Sequence, residues 1–428
     1  MNAIASCLAS IVNAENAVYF WENISPTLQE SIQKAIIGGK SPSCLVYPHT
    51  QEQLAAIIAE AHRKNWRILP CGSASKLGWG GLAQNIDVLV STERINRLIE
   101  HAVGDLTVTV EAGMKFSQLQ GILANYRQFL ALDPTAADLA TIGGIVATAN
   151  TGSLRQRYGS VRDQLLGITF VRADGEIAKA GGRVVKNVAG YDLMKLFTGS
   201  YGTLGIITQV TFRVYPQQQT SATVVLTGTE AAISQAAATL RGSALTPTQA
   251  DLLSTKLVDS LELGKGLGLI ARFQSISESV KEQANRLLEV GQKLGLAGVI
   301  YQGKEEADLW QRLPEQMHSA ALNLPITCKI GVLPNAAVEV LSRVEMGLIH
   351  ISSGLGVLSL DSQKRVLQIR DICQNYGGFL SILAAPNTVK EKLDVWGYTG
   401  NAVELMRRIK AQFDHKNILS PGRFVGGI

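Results

Sequence analysis

Three glycine-rich segments constrain this chain more than anything else in it. They read PCGSASKLGWGG (70–81), DPTAADLATIGGIVATANTG (133–152) and GSYGTLGIIT (199–208). The first follows a short apolar strand, WRILP (66–70). It has neither the GK[ST] ending of a Walker A loop nor a G-x-G-x-x-G opening a helix. A strand ending in Gly, Ser and Ala presents successive backbone N–H groups without side-chain obstruction, which suits a pyrophosphate, and Lys76 adds charge. In the second segment, Gly143-Gly144 and Ala147-Thr148-Ala149-Asn150 let a flat ligand lie against the backbone, or let helices pack tightly. In the third, Gly202 and Gly205 bracket a turn into a buried strand. Each alone reads as an ordinary loop. The three in this order carry far more weight than any one.

The flanking pattern is mixed. Residues 1–40 read as helical, with a second helix near 26–37. CLVYP (44–48) reads as a strand and 50–64 as a helix capped by Thr50, with Gln53 at capping-box spacing. A strand follows at 86–91. LTVTVEAG (106–113) alternates with period two, the mark of a half-buried strand. After helix 116–126, residues 133–152 read as a long loop. LLGITFVRADGEIAKAG reads as a hairpin about Asp174-Gly175. Helix 190–197 then precedes a long alternating strand, IITQVTFRVYP.

At Gln217–Thr220 the character changes. Residues 221–395 alternate short strands with helices, which predicts a separate α+β domain. The apolar stretch 344–360 holds Glu345 and His350 and reads as a pair of buried strands. A helix (401–414) and an extended tail close the sequence, and no internal repeat is visible. The expected organisation is a helical segment (1–40), a ligand-binding domain (41–216), an α+β cap (217–395) and a returning segment (396–428).

Composition removes several alternatives. Hydrophobic residues are 46% and charged residues 18%, a globular balance that allows large cores. The formal charge of +5 comes from scattered basic residues, not a nucleic-acid patch. Cys7, Cys44, Cys71, Cys328 and Cys373 are far apart. They form no C-x-x-C pair, so they suggest neither an iron–sulfur cluster nor zinc, and they fit a reducing, cytoplasmic setting. The N-terminal stretch lacks the positive region of a signal peptide.

These segments, with RYGSVRD (157–163) and KNVAGYDLMKLFTGSYGTLGIIT, resemble the FAD-binding domain of the vanillyl-alcohol oxidase/p-cresol methylhydroxylase (PCMH) superfamily. The tail FDHKNILSPGRF is similar to that of D-lactate dehydrogenase-type and glycolate oxidase-type members. SKLGWGG and KNVAGYDLMKLF look most like the E subunit of bacterial glycolate oxidase. The resemblance implies an α+β fold: a two-subdomain PCMH-type FAD-binding domain plus a cap of antiparallel sheet and helices. It assigns Cys71, Gly72, Ser73, Ala74, Ser75, Lys76 and Leu77 to the pyrophosphate loop. Pro134, Thr141, Gly143, Gly144, Ala147, Asn150 and Gly152 fall on the flavin and ribityl path. Gly202, Thr203, Ile206 and Ile207 fall beside the isoalloxazine or adenine, and Arg162 and Arg423 are cationic candidates.

Two departures from the family pattern matter. Covalent members often carry a His in the first loop, whereas this chain has Gly72-Ser73-Ala74-Ser75, which implies non-covalent FAD. The H-x-G-D-G-N-x-H type motif of catalytic members is absent. His350 reads as a single satisfied histidine among apolar neighbours, and no metal is expected. The expectation is an FAD-binding subunit of a glycolate (2-hydroxy-acid) dehydrogenase complex. Its partners would be a larger hydroxy-acid dehydrogenase flavoprotein and an iron–sulfur subunit, through which it would meet a membrane if at all. The alternatives are a self-sufficient FAD-dependent oxidoreductase using Lys186, Tyr191 or Arg272, and a non-catalytic scaffold. The catalytic base is not assigned.

Overall fold

The structure, a computed structural model, describes residues 3–37, 40–182, 190–320 and 323–428. The chain forms two compact units. One comprises Met1–Gly152, Ser160–Gln217 and Thr399–Ile428; the other comprises Ser153–Gly159 and Gln218–Tyr398.

The first unit is built on two main sheets. In the smaller, the order is Val18–Phe20, Cys44–Val46, Val88–Ser91, Ile68–Cys71, with the last three strands parallel. Helix Gln51–Lys64 makes the crossover that parallel pairing requires. Thr50 accepts from Gln53 N at 3.2 Å, and Gln53 Oε1 accepts in turn from His49 N at 2.8 Å. The helix buries Leu54, Ile57, Ile58 and Ala61 on one stripe and stops at Asn65, whose φ is 57°. The second sheet is antiparallel, in the order Leu98–Ala102, Thr107–Glu111, Ile206–Arg213, Leu165–Val171, Ile177–Gly181. Its core includes Phe170 and Phe197, with ring centroids 4.0 Å apart. Burying each such ring is worth about 1.5–3 kcal/mol.

Four local expectations change. Residues 107–111 alternate in sequence, yet all five are buried, because neighbouring segments cover both faces of that strand. Two of the three polar residues at alternate positions have side-chain partners: Thr109 bonds to Thr211 at 2.9 Å and Glu111 pairs with Arg97. The segment expected as a loop contains helix Ile142–Thr148, started by Thr141, which accepts from Gly144 N. The N-terminal stretch is not all helical, since Val18–Phe20 joins the first sheet. The helix expected at 190–197 is confined to Leu193–Phe197.

The second unit holds one eight-stranded antiparallel sheet, in the order Ala297–Gln302, Thr220–Gly228, Leu267–Ser275, Gln249–Leu253, Met346–His350, Leu355–Leu360, Ile326–Gly331, Phe379–Ala384. Its connectivity is a duplication invisible in the residues. Strand–helix–strand–strand–helix–strand occurs over Thr220–Gln302 and again over Ile326–Ala384, apart from one extra short helix in the first. The copies meet where Gln249–Leu253 pairs with Met346–His350, placing Asp251 opposite His350. One face of the sheet is apolar and is sealed by helices Glu230–Gly242, Ser277–Lys293 and Gln363–Asn375. Strand alternation puts Thr223, Arg272, Gln249, Asp251, His350 and Lys329 on the other face.

Candidate cofactor site

The three glycine segments meet in the first unit, around an open groove. The first segment leaves strand Ile68–Cys71 and turns sharply, with Ala74 at φ 61°. Gly72 has no room for a side chain, because a Cβ there would overlap Thr141. The third segment is stitched to the second through backbone: Gly199 N donates to Val146 O and Tyr201 N to Ala147 O, both at 2.9 Å. Tyr201 sits at φ 55°, an uncommon conformation for a residue with a side chain, and Gly202 at φ 74°.

The C-terminal tail supplies the remaining wall. Leu419 bridges to Ile68, beside the strand that leads into the first loop. Gly81 N donates to Arg423 O at 3.0 Å, and Arg423 Nη2 donates to Trp79 O at 2.7 Å.

The groove is lined by Cys71 to Leu77, Thr141, Gly143, Gly144, Ala147, Gly202, Ile206, Ile207 and Arg423 from the sequence-derived set. Five members of that set do not line it. Pro134 is buried elsewhere, and Asn150 Oδ1 accepts from Thr135 N. Gly152 N donates to Asp133, Thr203 Oγ1 donates to Ser200 O, and Arg162 is exposed. Pro70, Thr92, Ser200 and Tyr201 also line it without having been assigned a contact, as do Thr148 and Gly205, which the sequence named only as parts of the second and third segments. Ser200 and Gly205 lie within the third segment. Thr92 arrives only because Cys71 pairs in parallel with Ser91, so Thr92 N can donate to Cys71 O.

Gly143 is small for a reason other than a ligand. A Cβ there would meet Ala112 Cβ at 2.7 Å, on the sheet side. At Gly144 the nearest atom to a Cβ is Thr141 Oγ1, at 3.1 Å.

The electrostatics favour an anion. Lys76 is 7% exposed and has no carboxylate partner among the described residues; burial lowers its ammonium to about 8. Arg423 is 4% exposed and burial lowers it to about 10, with Tyr201 and Cys71 acting the other way. Burial raises the Tyr201 phenol and the Cys71 thiol to about 12, so both are neutral at pH 7. Two of the groove-lining residues each hold a polar atom, Arg423 Nε and Ser200 Oγ, that is buried with no hydrogen-bond partner among the described residues. Buried polar atoms are rarely left so. Two buried cations and two unsatisfied donors, on a wall of glycines and backbone N–H groups, fit a long anionic ligand such as FAD.

In the second unit, the sequence-derived alternatives fare differently. Arg272 is engaged by Glu306 and Ser221 at 2.9 Å each, and lies over Trp310. Tyr191, in the first unit, is 88% exposed, and Lys186 lies outside the described residues. His350 is satisfied, but by a carboxylate: Nδ1 lies 2.5 Å from Asp251 Oδ1, and Asp251 Oδ2 is buried without a partner among the described residues. Among the described residues, no group of three His, Cys, Asp or Glu side chains is placed to hold a metal. No described helix is long and apolar enough to cross a membrane.

Comparison with known proteins agrees with this geometry. Residues 42–181 match an FAD binding domain family, and 392–424 match the C-terminal domain of FAD linked oxidases. The chain is 29% identical to the mitochondrial D-lactate dehydrogenase [cytochrome] of Arabidopsis thaliana, over 66% of this chain and 51% of that protein, so the match spans about half of that relative. It is 24% identical to glycolate oxidase subunit GlcD of Bacillus subtilis (strain 168), over 89% of this chain and 88% of that one. With D-2-hydroxyglutarate dehydrogenase of Stutzerimonas stutzeri (strain A1501) it shares 26% identity, over 90% and 91%. In structure it is similar to p-cresol methylhydroxylase, with a TM-score of 0.76 over 99% of this chain and 96% of that one, at 17% identity. Residues 42–181 and 392–424 therefore carry an FAD binding domain and the C-terminal domain of FAD linked oxidases, on a mixed α+β fold shared with p-cresol methylhydroxylase.

Proposed function

We propose that the groove holds one FAD non-covalently and that the chain is an FAD-binding subunit of a glycolate (2-hydroxy-acid) dehydrogenase complex. The observation that carries the cofactor reading is the pair of buried cations, Lys76 and Arg423, in one glycine-walled groove with two unsatisfied donors. Lys76 and the first-loop N–H groups would hold the pyrophosphate, while Ser200 and Arg423 would donate to the remaining polar edges of the cofactor. Among the described residues no histidine lines the groove, which supports non-covalent binding. Bound FAD supplies a two-electron acceptor; the protein supplies position, charge and exclusion of water.

The assembly reading rests on the relative named as a glycolate oxidase subunit and on the absence of the H-x-G-D-G-N-x-H type motif. Oxidising a 2-hydroxy acid needs a group to take the hydroxyl proton and cations to hold the carboxylate. The partners would be a larger flavoprotein carrying that motif and a cysteine-rich iron–sulfur protein. The test is a dye-linked assay with glycolate or D-lactate, comparing the isolated chain with the chain plus partners. Slow or no turnover alone and a gain on mixing support the reading. Turnover by the isolated chain at about 1 per second or faster defeats it.

One observation favours a second reading, a self-sufficient oxidoreductase. The Asp251–His350 pair gives the second unit a histidine oriented by a carboxylate, an arrangement that serves as a base elsewhere. His350→Gln would abolish turnover by the isolated chain under that reading and leave complex activity untouched under the first.

A further inference from the structure

We propose that Lys410 is a positioning residue for the cofactor groove, an inference that rests on the FAD reading above. Lys410 lies on helix Val403–Phe413 and does not line the groove. It is 6% exposed, and its ammonium has three acceptors: Thr203 O at 2.8 Å, Leu419 O at 2.9 Å and Asp414 Oδ2 at 2.6 Å. An ammonium has three hydrogens, so its capacity is fully used.

What those acceptors belong to decides the role. Thr203 directly follows Tyr201 and Gly202, which line the groove in left-handed backbone. Leu419 opens the tail: Ser420 N donates to Ile68 O at 2.9 Å, and four residues past Leu419 Arg423 enters the groove. Asp414 completes the junction, accepting from Ile418 N at 3.0 Å and Leu419 N at 2.7 Å. One buried charge therefore fixes the spacing between the third glycine segment and the tail, two walls that nothing local in the sequence holds together. A pair that only stabilised the fold would have no need to join two segments that both carry groove residues. Holding cofactor-contacting groups through a packed, hydrogen-bonded support is how such sites keep their geometry.

The test compares FAD binding by the full-length chain in Lys410→Met, Lys410→Arg and Ile57→Ala. The last opens a core cavity in the same unit without touching the groove. Apo-protein melting and FAD titration are read for each, well below every melting point, together with the visible absorption of the flavin at saturation. Lys410→Met should raise the FAD dissociation constant about tenfold or more, as expected for losing charged hydrogen bonds that order the site. It should also alter the bound-flavin spectrum, and Lys410→Arg should restore both in part. Ile57→Ala should lower the melting point while leaving affinity and spectrum close to the parent. Parent-like affinity and spectrum in Lys410→Met overturn the inference, as does equal loss of affinity in Ile57→Ala. If the parent itself binds no FAD, the cofactor reading fails instead.

Discussion

A Cβ on Gly72 would overlap the Thr141 hydroxyl and stand 2.7 Å from its Cγ2, so the first loop and the helix after Thr141 touch through the absence of one side chain. Thr141 cannot easily withdraw, because its hydroxyl accepts from Gly144 N at the start of helix Ile142–Thr148. Gly72→Ala should therefore force the two groove walls apart. We expect a stability loss of about 1–3 kcal/mol, typical of overpacking, and loss of FAD through gel filtration. Parent-like flavin content in the purified variant would contradict this.

Lys76 sets a pH dependence. Burial lowers its ammonium to about 8, and a bound anion would raise it again. Below about 8 the charge is present before FAD arrives; above it, binding must take up a proton. FAD affinity should therefore be level up to about pH 8 and fall as pH rises beyond it. Lys76→Met should bind more weakly at pH 7 and lose that dependence. Titrations across pH 7 to about 9.5, following flavin fluorescence, check both points.

The paired glycines should separate. Gly143→Val drives a branched side chain against Ala112 and should destabilise the first unit as well as expel FAD. A Cβ at Gly144 meets only Thr141 Oγ1, and Gly144 lines the groove, so Gly144→Val should lose FAD with a smaller shift in melting. Calorimetry with FAD titration tells the two apart. Tight FAD binding by Gly144→Val would remove the second segment from the cofactor wall.

Acid or heat should release the flavin into the supernatant as intact FAD. Gly72, Ser73, Ala74 and Ser75 offer no histidine for attachment, and burial keeps the Cys71 thiol protonated, which makes it a poor nucleophile. Colour remaining on the precipitated protein would show a covalent bond.

How much of this was legible beforehand depended on range. All seven residues from Cys71 to Leu77 line the groove, because a glycine loop after a strand is a local signal. Thr92 was hidden, since only parallel pairing across helix Gln51–Lys64 carries it there. Asn150 and Gly152, assigned to the flavin and ribityl path, do not line the groove and bond instead to Thr135 and Asp133, a pairing no local pattern announces. Alternation in 107–111 gave the strand but not its burial, because period two cannot say whether the polar side is wet or covered. The duplication in the second unit left no trace in residue identity. It survives only in strand order, which packing can maintain with any apolar side chains of suitable size.

The tail that closes the groove has a consequence for order of assembly. Ribosomes deliver the chain from its N-terminus, so all three glycine segments emerge before any residue of Gln218–Tyr398, and Arg423 follows all of that unit. Until the tail docks beside Ile68, the groove lacks one wall and one of its two cations. Cofactor capture is accordingly a late event in biogenesis. Nascent chains halted before the tail should stay colourless, even with the glycine segments fully translated.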